Sequence, residues 1–182
     1  MPGDAVSGHD HASGHRKHHK HALTELQVGL ITCSDSRTPD TDTSAQVLRA
    51  GLQAAGHAVA DYRIVPDDPA LITEAVWQIA AGPAQAIITS GGTGVTARDW
   101  TFEAISELFT KPLDGFGQLF RMLSWEQVGA AAFLSRATAG LIGETVVFVL
   151  PGSPGAAQLA WDKLIGPELG HACWLAVRDR GR

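Results

Sequence analysis

The chain has 182 residues, of which 45 % are apolar and 18 % are charged, and its formal net charge is −5. The apolar content excludes a wholly disordered polypeptide, and the length suits one domain. The acidic balance argues against non-specific nucleic-acid binding, which needs a basic face. No run of residues approaches the roughly 18 apolar residues of a membrane span. We therefore expect neither a nucleic-acid nor a membrane partner.

The first 21 residues are rich in histidine and contain almost no apolar residue. We predict a disordered tail over 1–21 and one folded domain over 22–182. The tail lacks the apolar core of a secretory signal, and Cys33 and Cys173 are far apart, so we expect a reduced, cytoplasmic protein. A solvated tail is the simpler interpretation, and loose transition-metal binding or metal delivery is a weaker alternative. The tail histidines are His9, His11, His15, His18, His19 and His21.

Four segments rich in valine and isoleucine predict strands, of which the first, third and fourth are expected to be buried. In chain order they cover 26–33, 57–65, 84–90 and 145–150. Between and after them, apolar residues recur at helical spacing. The predicted helices cover 44–55, 69–81, 102–109, 116–128, 156–165 and 167–177, the last two divided by Gly166-Pro167. Alternating strands and helices predict an α/β fold, with a mostly parallel sheet covered by helices on both faces.

Small and polar residues follow three of the predicted strands. The turns are Ser34-Asp35, Gly91-Gly92-Thr93-Gly94 and Pro151-Gly152-Ser153-Pro154. In an open parallel sheet, ligands bind beyond the carboxyl ends of the strands, where glycines let backbone amides approach an anion. Each turn alone is equally well explained as a tight strand-to-helix connection. Together they predict a site for a phosphorylated or otherwise anionic small molecule.

Two aspartates follow the same edge of the predicted sheet. Asp67 comes after the second strand in VPDD, and Asp99 comes after the glycine turn in TARDW. Carboxylates near bound phosphates usually hold Mg²⁺, but aspartate is also a preferred helix cap, and both interpretations stay open. Asp68 precedes Pro69 and is the better cap of its helix, which leaves Asp67 without a structural task.

Arginines and one tryptophan are further candidates in this acidic domain. Arg136, in Ser135-Arg136, either grips a phosphate with two parallel hydrogen bonds or forms a surface ion pair. Arg37 and Arg98 carry the same two interpretations. Trp100 either stacks on a ligand ring or packs against its neighbours, and packing is the commoner role.

Six motifs in order along 28–171 resemble the MoaB/MogA family of molybdenum cofactor biosynthesis proteins. They read ITCSDSRTPDTDTS, VPDD, TSGGTGVTARD, FRMLSWEQVG, LSRATAG and VFVLPGSPGA. The DTS triplet and the FRMLSWEQVG segment are more similar to the MoaB branch than to MogA. The resemblance implies a three-layer α/β/α sandwich that assembles into trimers or hexamers, and contact with other molybdenum cofactor biosynthesis proteins.

The resemblance also implies an activity, namely transfer of AMP from ATP to molybdopterin with Mg²⁺ as the required metal. The products would be adenylyl-molybdopterin and pyrophosphate. A non-catalytic molybdopterin-binding or scaffolding paralogue is the alternative, because a shared fold does not establish a shared activity.

The functional residues of the family carry over onto matching positions of this chain. Its two functionally important aspartates fall on Asp67 and Asp99, which would bind Mg²⁺ or orient the reacting phosphates. Asp35 would be a supporting ligand, and Arg136 with the glycine-turn amides would hold the pterin phosphate or the nucleotide. The implied substrate-binding residues are Ser34, Asp35, Gly91, Gly92, Thr93, Gly94, Ser135, Arg136, Pro151, Gly152 and Ser153.

Overall fold

A computed structural model describes residues 21–178. The predicted disordered tail, apart from His21, lies outside the described residues. The His21 ring stacks on Trp174 with ring centroids 4.8 Å apart. None of the helices formed by residues 21–178 combines the length and the apolar composition needed to cross a bilayer.

Six strands and six α-helices make up the fold, together with one 3₁₀ and one π segment, all within the described part of the chain. The strands are β1 Gln27–Cys33, β2 Ala58–Val65, β3 Ala86–Ser90, β4 Lys111–Pro112, β5 Thr138–Ile142 and β6 Thr145–Leu150. The helices are α1 Thr43–Ala54, α2 Pro69–Ala80, α3 Thr101–Ser106, α4 Asp114–Val128, α5 Pro154–Ala160 and α6 Gly166–Val177. A 3₁₀ helix over Gly129–Leu134 follows α4, and a π turn over Trp161–Ile165 joins α5 to α6.

The strands form one mixed sheet in the order β2-β1-β3-β6-β5-β4. The four strands predicted from the sequence pair in parallel, and β5 and β4 add an antiparallel edge. The chain leaves β1 for β2 on one side and returns to β3 on the other. Because the strand order reverses there, the carboxyl ends of β1 and β3 border a crevice of the kind in which α/β proteins bind ligands.

Alternate residues of each strand point to opposite faces of the sheet, and each face is covered by helices. On β1, Leu30 faces a core built with α1, α4, α5 and α6, whereas Ile31 faces a core built with α2 and α3. This three-layer α/β/α arrangement with a mostly parallel sheet is the predicted fold class.

Side-chain caps define where two helices begin next to the crevice. Asp68 accepts hydrogen bonds from the amides of Ala70 and Leu71 at the start of α2. This confirms Asp68, not Asp67, as the cap. Ser153 accepts from the Ala156 amide and caps α5, which begins at the edge of the crevice.

The predicted break at Gly166-Pro167 is wrong, because helical backbone continues from α5 through the π turn into α6. A proline inside an α-helix lacks an amide donor and its ring meets the carbonyl four residues earlier. The wider π turn over Trp161–Ile165 relieves this conflict just before Pro167, so the helix is adjusted and not ended.

Candidate functional site

A cleft with a volume of about 520 Å³ lies at the carboxyl ends of β3 and β6. One wall is apolar and comes from α4, the 3₁₀ helix and α5. The other wall consists of the two small-residue turns. Of the residues proposed from the sequence, those lining the cleft are Gly91, Gly92, Thr93, Gly94, Asp99, Ser135, Pro151, Gly152 and Ser153.

Glycine is required at Gly91, where the turn after β3 passes other backbone closely. Gly91 has a φ of +97°, and a Cβ atom there would overlap the carbonyl oxygen of Cys33. A Cβ atom at Gly152 would lie 3.1 Å from the Gly91 Cα. The turns after β3 and β6 are therefore in direct contact and line one cleft, where the Gly91 amide itself donates to the Leu150 carbonyl oxygen.

Asp67 lies beside the glycine turn, at the end of β2. A Cβ atom at Gly92 would lie 2.5 Å from Asp67 Oδ1. The Asp67 amide donates a 3.2 Å hydrogen bond to Asp35 Oδ1. Partial burial raises the pKa of Asp67, and the negative charges of Asp35 and Asp99 raise it further. Oδ1 is buried and has no hydrogen-bond partner among the described residues.

Asp99 closes the loop that follows the glycine turn. Its Oδ2 accepts hydrogen bonds from the Thr96 amide at 2.8 Å and from the Thr96 hydroxyl at 2.6 Å. A Cβ atom at Gly94 would lie 2.7 Å from the same oxygen. The Thr96 hydroxyl is the main cause of the lowered pKa of Asp99. Asp99 does not cap α3, since the cap residue is Trp100 and no side chain caps that helix.

The structure therefore brings Asp67 and Asp99 to the same glycine turn, one at Gly92 and the other at Gly94. They are close enough that the charge of Asp99 contributes to the raised pKa of Asp67. Within residues 21–178, however, no three His, Cys, Asp or Glu side chains are grouped closely enough to hold a metal ion. A cation bound here would take the rest of its ligands from substrate or water.

Four predicted residues lie beside the cleft without lining it, namely Ser34, Asp35, Asp67 and Arg136. Ser34 Oγ accepts hydrogen bonds from the amides of Ser36 and Arg37, and so shapes the turn after β1. The guanidinium of Arg136 is directed at the loop 93–99 and lines a smaller cavity of about 260 Å³ with Asp99 and Trp100. Trp100 is 46 % exposed, so it is not a core residue.

A buried hydrogen-bond network beneath the site was not predicted as a functional feature. Asp42 is 2 % exposed and accepts hydrogen bonds from the Thr32 hydroxyl at 2.5 Å and the Tyr62 hydroxyl at 2.7 Å. Its neighbour Ser44 donates to the Gly152 carbonyl oxygen at 2.9 Å. These contacts tie α1 to β1, β2 and the turn after β6. The only sequence signal was the Asp-Thr-Ser triplet, which is typical of a helix start.

A family model described as a probable molybdopterin binding domain matches residues 29–171 of this chain. The matched span includes both aspartates, both small-residue turns and Ser135-Arg136. The chain belongs to this family of molybdenum cofactor biosynthesis proteins, which confirms the family predicted from the motifs.

Several relatives of the chain are named molybdenum cofactor biosynthesis protein B. A Bacillus cereus protein called molybdenum cofactor biosynthesis protein B is 49 % identical over 160 residues, covering 85 % of this chain and 93 % of its own. A crystal structure of a molybdenum cofactor biosynthesis protein B superposes with a TM-score of 0.83 at 48 % identity, covering 85 % of this chain and 98 % of its own. The tungsten cofactor synthesizing protein MoaB from Pyrococcus furiosus gives a TM-score of 0.77 at 38 % identity, covering 85 % and 99 %.

Proposed function

We propose that this chain is a molybdopterin adenylyltransferase, which transfers AMP from ATP to molybdopterin and releases pyrophosphate. One observation carries the proposal. The turn Gly91–Gly94 lies between two carboxylates, with Asp67 Oδ1 against Gly92 and Asp99 Oδ2 against Gly94. A phosphate donor and a phosphate acceptor that meet at this turn would therefore meet between the two carboxylates.

The shape and chemistry of the cleft suit a ligand with a planar ring and an anionic end. Phe120, Leu134 and Leu159 line the apolar wall, on which a pterin ring could pack. The opposite wall consists of the glycine turn after β3 and the residues at the start of α5, a kind of surface that favours a phosphate. This division of the cleft supports molybdopterin as the bound partner.

The proposed reaction needs alignment and charge neutralisation more than a covalent nucleophile. An oxygen of the molybdopterin phosphate would attack the α-phosphorus of ATP. The new bond joins that oxygen to the α-phosphorus, and the bond from the α-phosphorus to the leaving pyrophosphate oxygen breaks. The glycine amides would hold the phosphates in line, and the carboxylates would orient them.

Asp67 and Asp99 fit Mg²⁺ as a partner of this reaction. Carboxylate oxygens are its preferred protein ligands, and Asp67 Oδ1 is a buried carboxylate oxygen without a described hydrogen-bond partner. Asp99 would contribute through the oxygen that Thr96 does not occupy, and Asp35 would support Asp67 from the turn after β1. When bound, Mg²⁺ neutralises negative charge on the reacting phosphates.

A molybdopterin-binding protein without catalysis is the second candidate. It is favoured by the observation that Asp99 and Arg136 are both engaged by other residues of the chain, Asp99 by Thr96 and Arg136 by the carbonyl oxygen of Thr93. Such a protein would bind molybdopterin in the same cleft and would release no pyrophosphate.

An exposed apolar face supports the homo-oligomer, trimer or hexamer, that the family resemblance implies. On α4 and the 3₁₀ helix, Met122 is 62 % exposed, Trp125 is 61 % exposed and Phe133 is 74 % exposed. Large contiguous apolar surface of this kind marks interaction sites. We propose that a second copy of the chain covers it.

The proposed activity is tested by pyrophosphate release from the full chain with molybdopterin, ATP and Mg²⁺. We expect release in the wild type and a loss of at least about 100-fold in Asp67→Asn and in Asp99→Asn. Asp162→Asn is the matched control, because Asp162 lies in the π turn outside the cleft. Molybdopterin binding without pyrophosphate release in the wild type would establish the non-catalytic alternative.

A further inference from the structure

Arg136 joins the two ends of one loop. Its Nε donates a 3.1 Å hydrogen bond to the carbonyl oxygen of Thr93, and its Nη2 donates a 3.1 Å hydrogen bond to the carbonyl oxygen of Asp99. Thr93 and Asp99 are the first and last residues of the segment 93–99. A single guanidinium group therefore spans the whole opening of this loop.

The rest of the Arg136 side chain is also engaged by protein. Nη1 forms an ion pair with Glu103 of α3, and the guanidinium lies over the Phe102 ring at 5.1 Å from its centroid. The side chain is only 26 % exposed. Gripping a phosphate requires two parallel N–H donors aimed at the ligand, whereas these donors are aimed at two carbonyls and a carboxylate.

The segment held by Arg136 is the one that carries Asp99. It also provides the Gly94 position at the cleft and the Thr96 donors to the Asp99 carboxylate. Asp99 lines both the 520 Å³ cleft and the adjacent 260 Å³ cavity, so the segment separates the two. A change in the width of this loop would move the carboxylate relative to the glycine turn.

We infer that Arg136 is a positioning residue, which holds both ends of the segment 93–99 so that Asp99 keeps its place at the cleft. It does not itself bind the substrate phosphate. The kinetic part of this inference rests on the proposed adenylyl transfer, whereas the structural part does not. Lysine cannot replace arginine in this role, because a single ammonium group cannot reach acceptors that a planar guanidinium spans.

The structural part is tested by hydrogen exchange of backbone amides in the free protein. The Thr96 amide donates to Asp99 Oδ2 and the Asp99 amide donates to the Thr96 carbonyl oxygen, so both report on the loop. We expect both amides to exchange at least about tenfold faster in Arg136→Lys and Arg136→Gln than in the wild type. Unchanged exchange in both variants would overturn the inference.

Arg63→Gln is the matched control for this measurement. Arg63 forms an ion pair with Asp61 on β2, and its side chain is 30 % exposed, similar to Arg136. We expect loop exchange in this variant to equal that of the wild type. The Arg136→Lys variant retains the positive charge, so it provides the decisive comparison if Arg136→Gln fails to fold.

The kinetic part separates positioning from binding through kcat and KM. If Arg136 positions Asp99, kcat falls by about 10- to 100-fold in both variants. The KM values for ATP and molybdopterin then stay within about threefold. A large rise in KM that Arg136→Lys largely restores would instead assign phosphate binding to Arg136. If the wild type itself releases no pyrophosphate, the proposed function fails, and the exchange measurement still decides the role of Arg136.

Discussion

The hydroxyl of Thr96 donates a 2.6 Å hydrogen bond to Asp99 Oδ2 and is the main reason why the pKa of Asp99 is lowered. A carboxyl whose pKa is lower in the folded state stabilises the fold above its unfolded pKa. That contribution is lost as the pH falls through the folded pKa. The loop around Asp99 is therefore stabilised by a bond that requires the ionised carboxylate.

Replacing Thr96 by valine removes this donor and keeps the side-chain size. We expect Thr96→Val to lower the free energy of unfolding at pH 7 by about 0.5 kcal/mol, a small value because the site is partly exposed. The difference from the wild type should shrink as the pH falls below about 4 and vanish only below the lowered pKa of Asp99 in the folded protein. Urea unfolding at both pH values measures it. Thr110→Val, which removes a hydroxyl donor to the Leu141 carbonyl oxygen, should show a loss that does not depend on pH. Equal pH behaviour of the two variants would contradict the account.

Removing the charge of Asp67 should stabilise the ligand-free protein. The pKa of Asp67 is raised by burial and by its acidic neighbours, so its ionised form weakens the fold as the pH rises above the unfolded pKa. We expect Asp67→Asn to be more stable than the wild type by about 0.5 kcal/mol at pH 7, a value reduced by solvent screening. Below about pH 3.5 the two should be equal.

With Mg²⁺ added, we expect the wild type to be more stable than Asp67→Asn. The bound cation offsets the repulsion among the carboxylates, and it binds only where the Asp67 carboxylate is present. Thermal unfolding with and without Mg²⁺ measures both effects, with Asp162→Asn as the control carboxylate. An Asp67→Asn protein that is less stable than the wild type at pH 7 without Mg²⁺ would show that the carboxylate stabilises the fold, against this prediction.

Alanine substitutions at Gly56 and Gly91 distinguish the cost of a positive φ from the cost of a steric overlap, because both glycines have positive φ. A Cβ atom at Gly91 would overlap the Cys33 carbonyl oxygen, whereas a Cβ atom at Gly56 would meet nothing within 4 Å. We expect Gly56→Ala to cost about 1 kcal/mol of stability and Gly91→Ala to cost about 3 kcal/mol or more. Urea denaturation measures both. Equal costs would mean that the turn after β3 can move away from β1.

Polar substitution of the exposed apolar face should weaken self-association. Trp125→Ser and Phe133→Ser each remove a large exposed ring from α4 or the 3₁₀ helix, and we expect smaller species in sedimentation velocity at micromolar concentration. Trp77→Ser is the control, because Trp77 is 51 % exposed on α2 and is not part of this face. A wild type that sediments as a monomer would contradict the prediction directly.

The antiparallel edge of the sheet was not predicted from the sequence. The β5 segment, Thr138–Ile142, contains alanine and glycine and has little of the composition typical of strands. It becomes a strand by pairing with β6 across a turn of Gly143 and Glu144, in which Gly143 has a φ of +59°. Its hydrogen bonds come from a neighbour, so the segment alone gives a weak signal. The 3₁₀ helix Gly129–Leu134, which adds to the apolar wall of the cleft, was also missed, because so short a helix has no periodic pattern of its own.

The amino-acid sequence by itself determined the features that depend on a few neighbouring residues. These include the four parallel strands, the Asp68 cap of α2 and the small residues after β3 and β6, because strand pattern, capping and turn geometry act over short stretches of chain. The tertiary structure decided the strand order, the approach of Asp67 and Asp99 to one glycine turn, and the carbonyl partners of Arg136. These relationships join residues far apart in the chain, and only the packing of helices on both faces of the sheet brings them together.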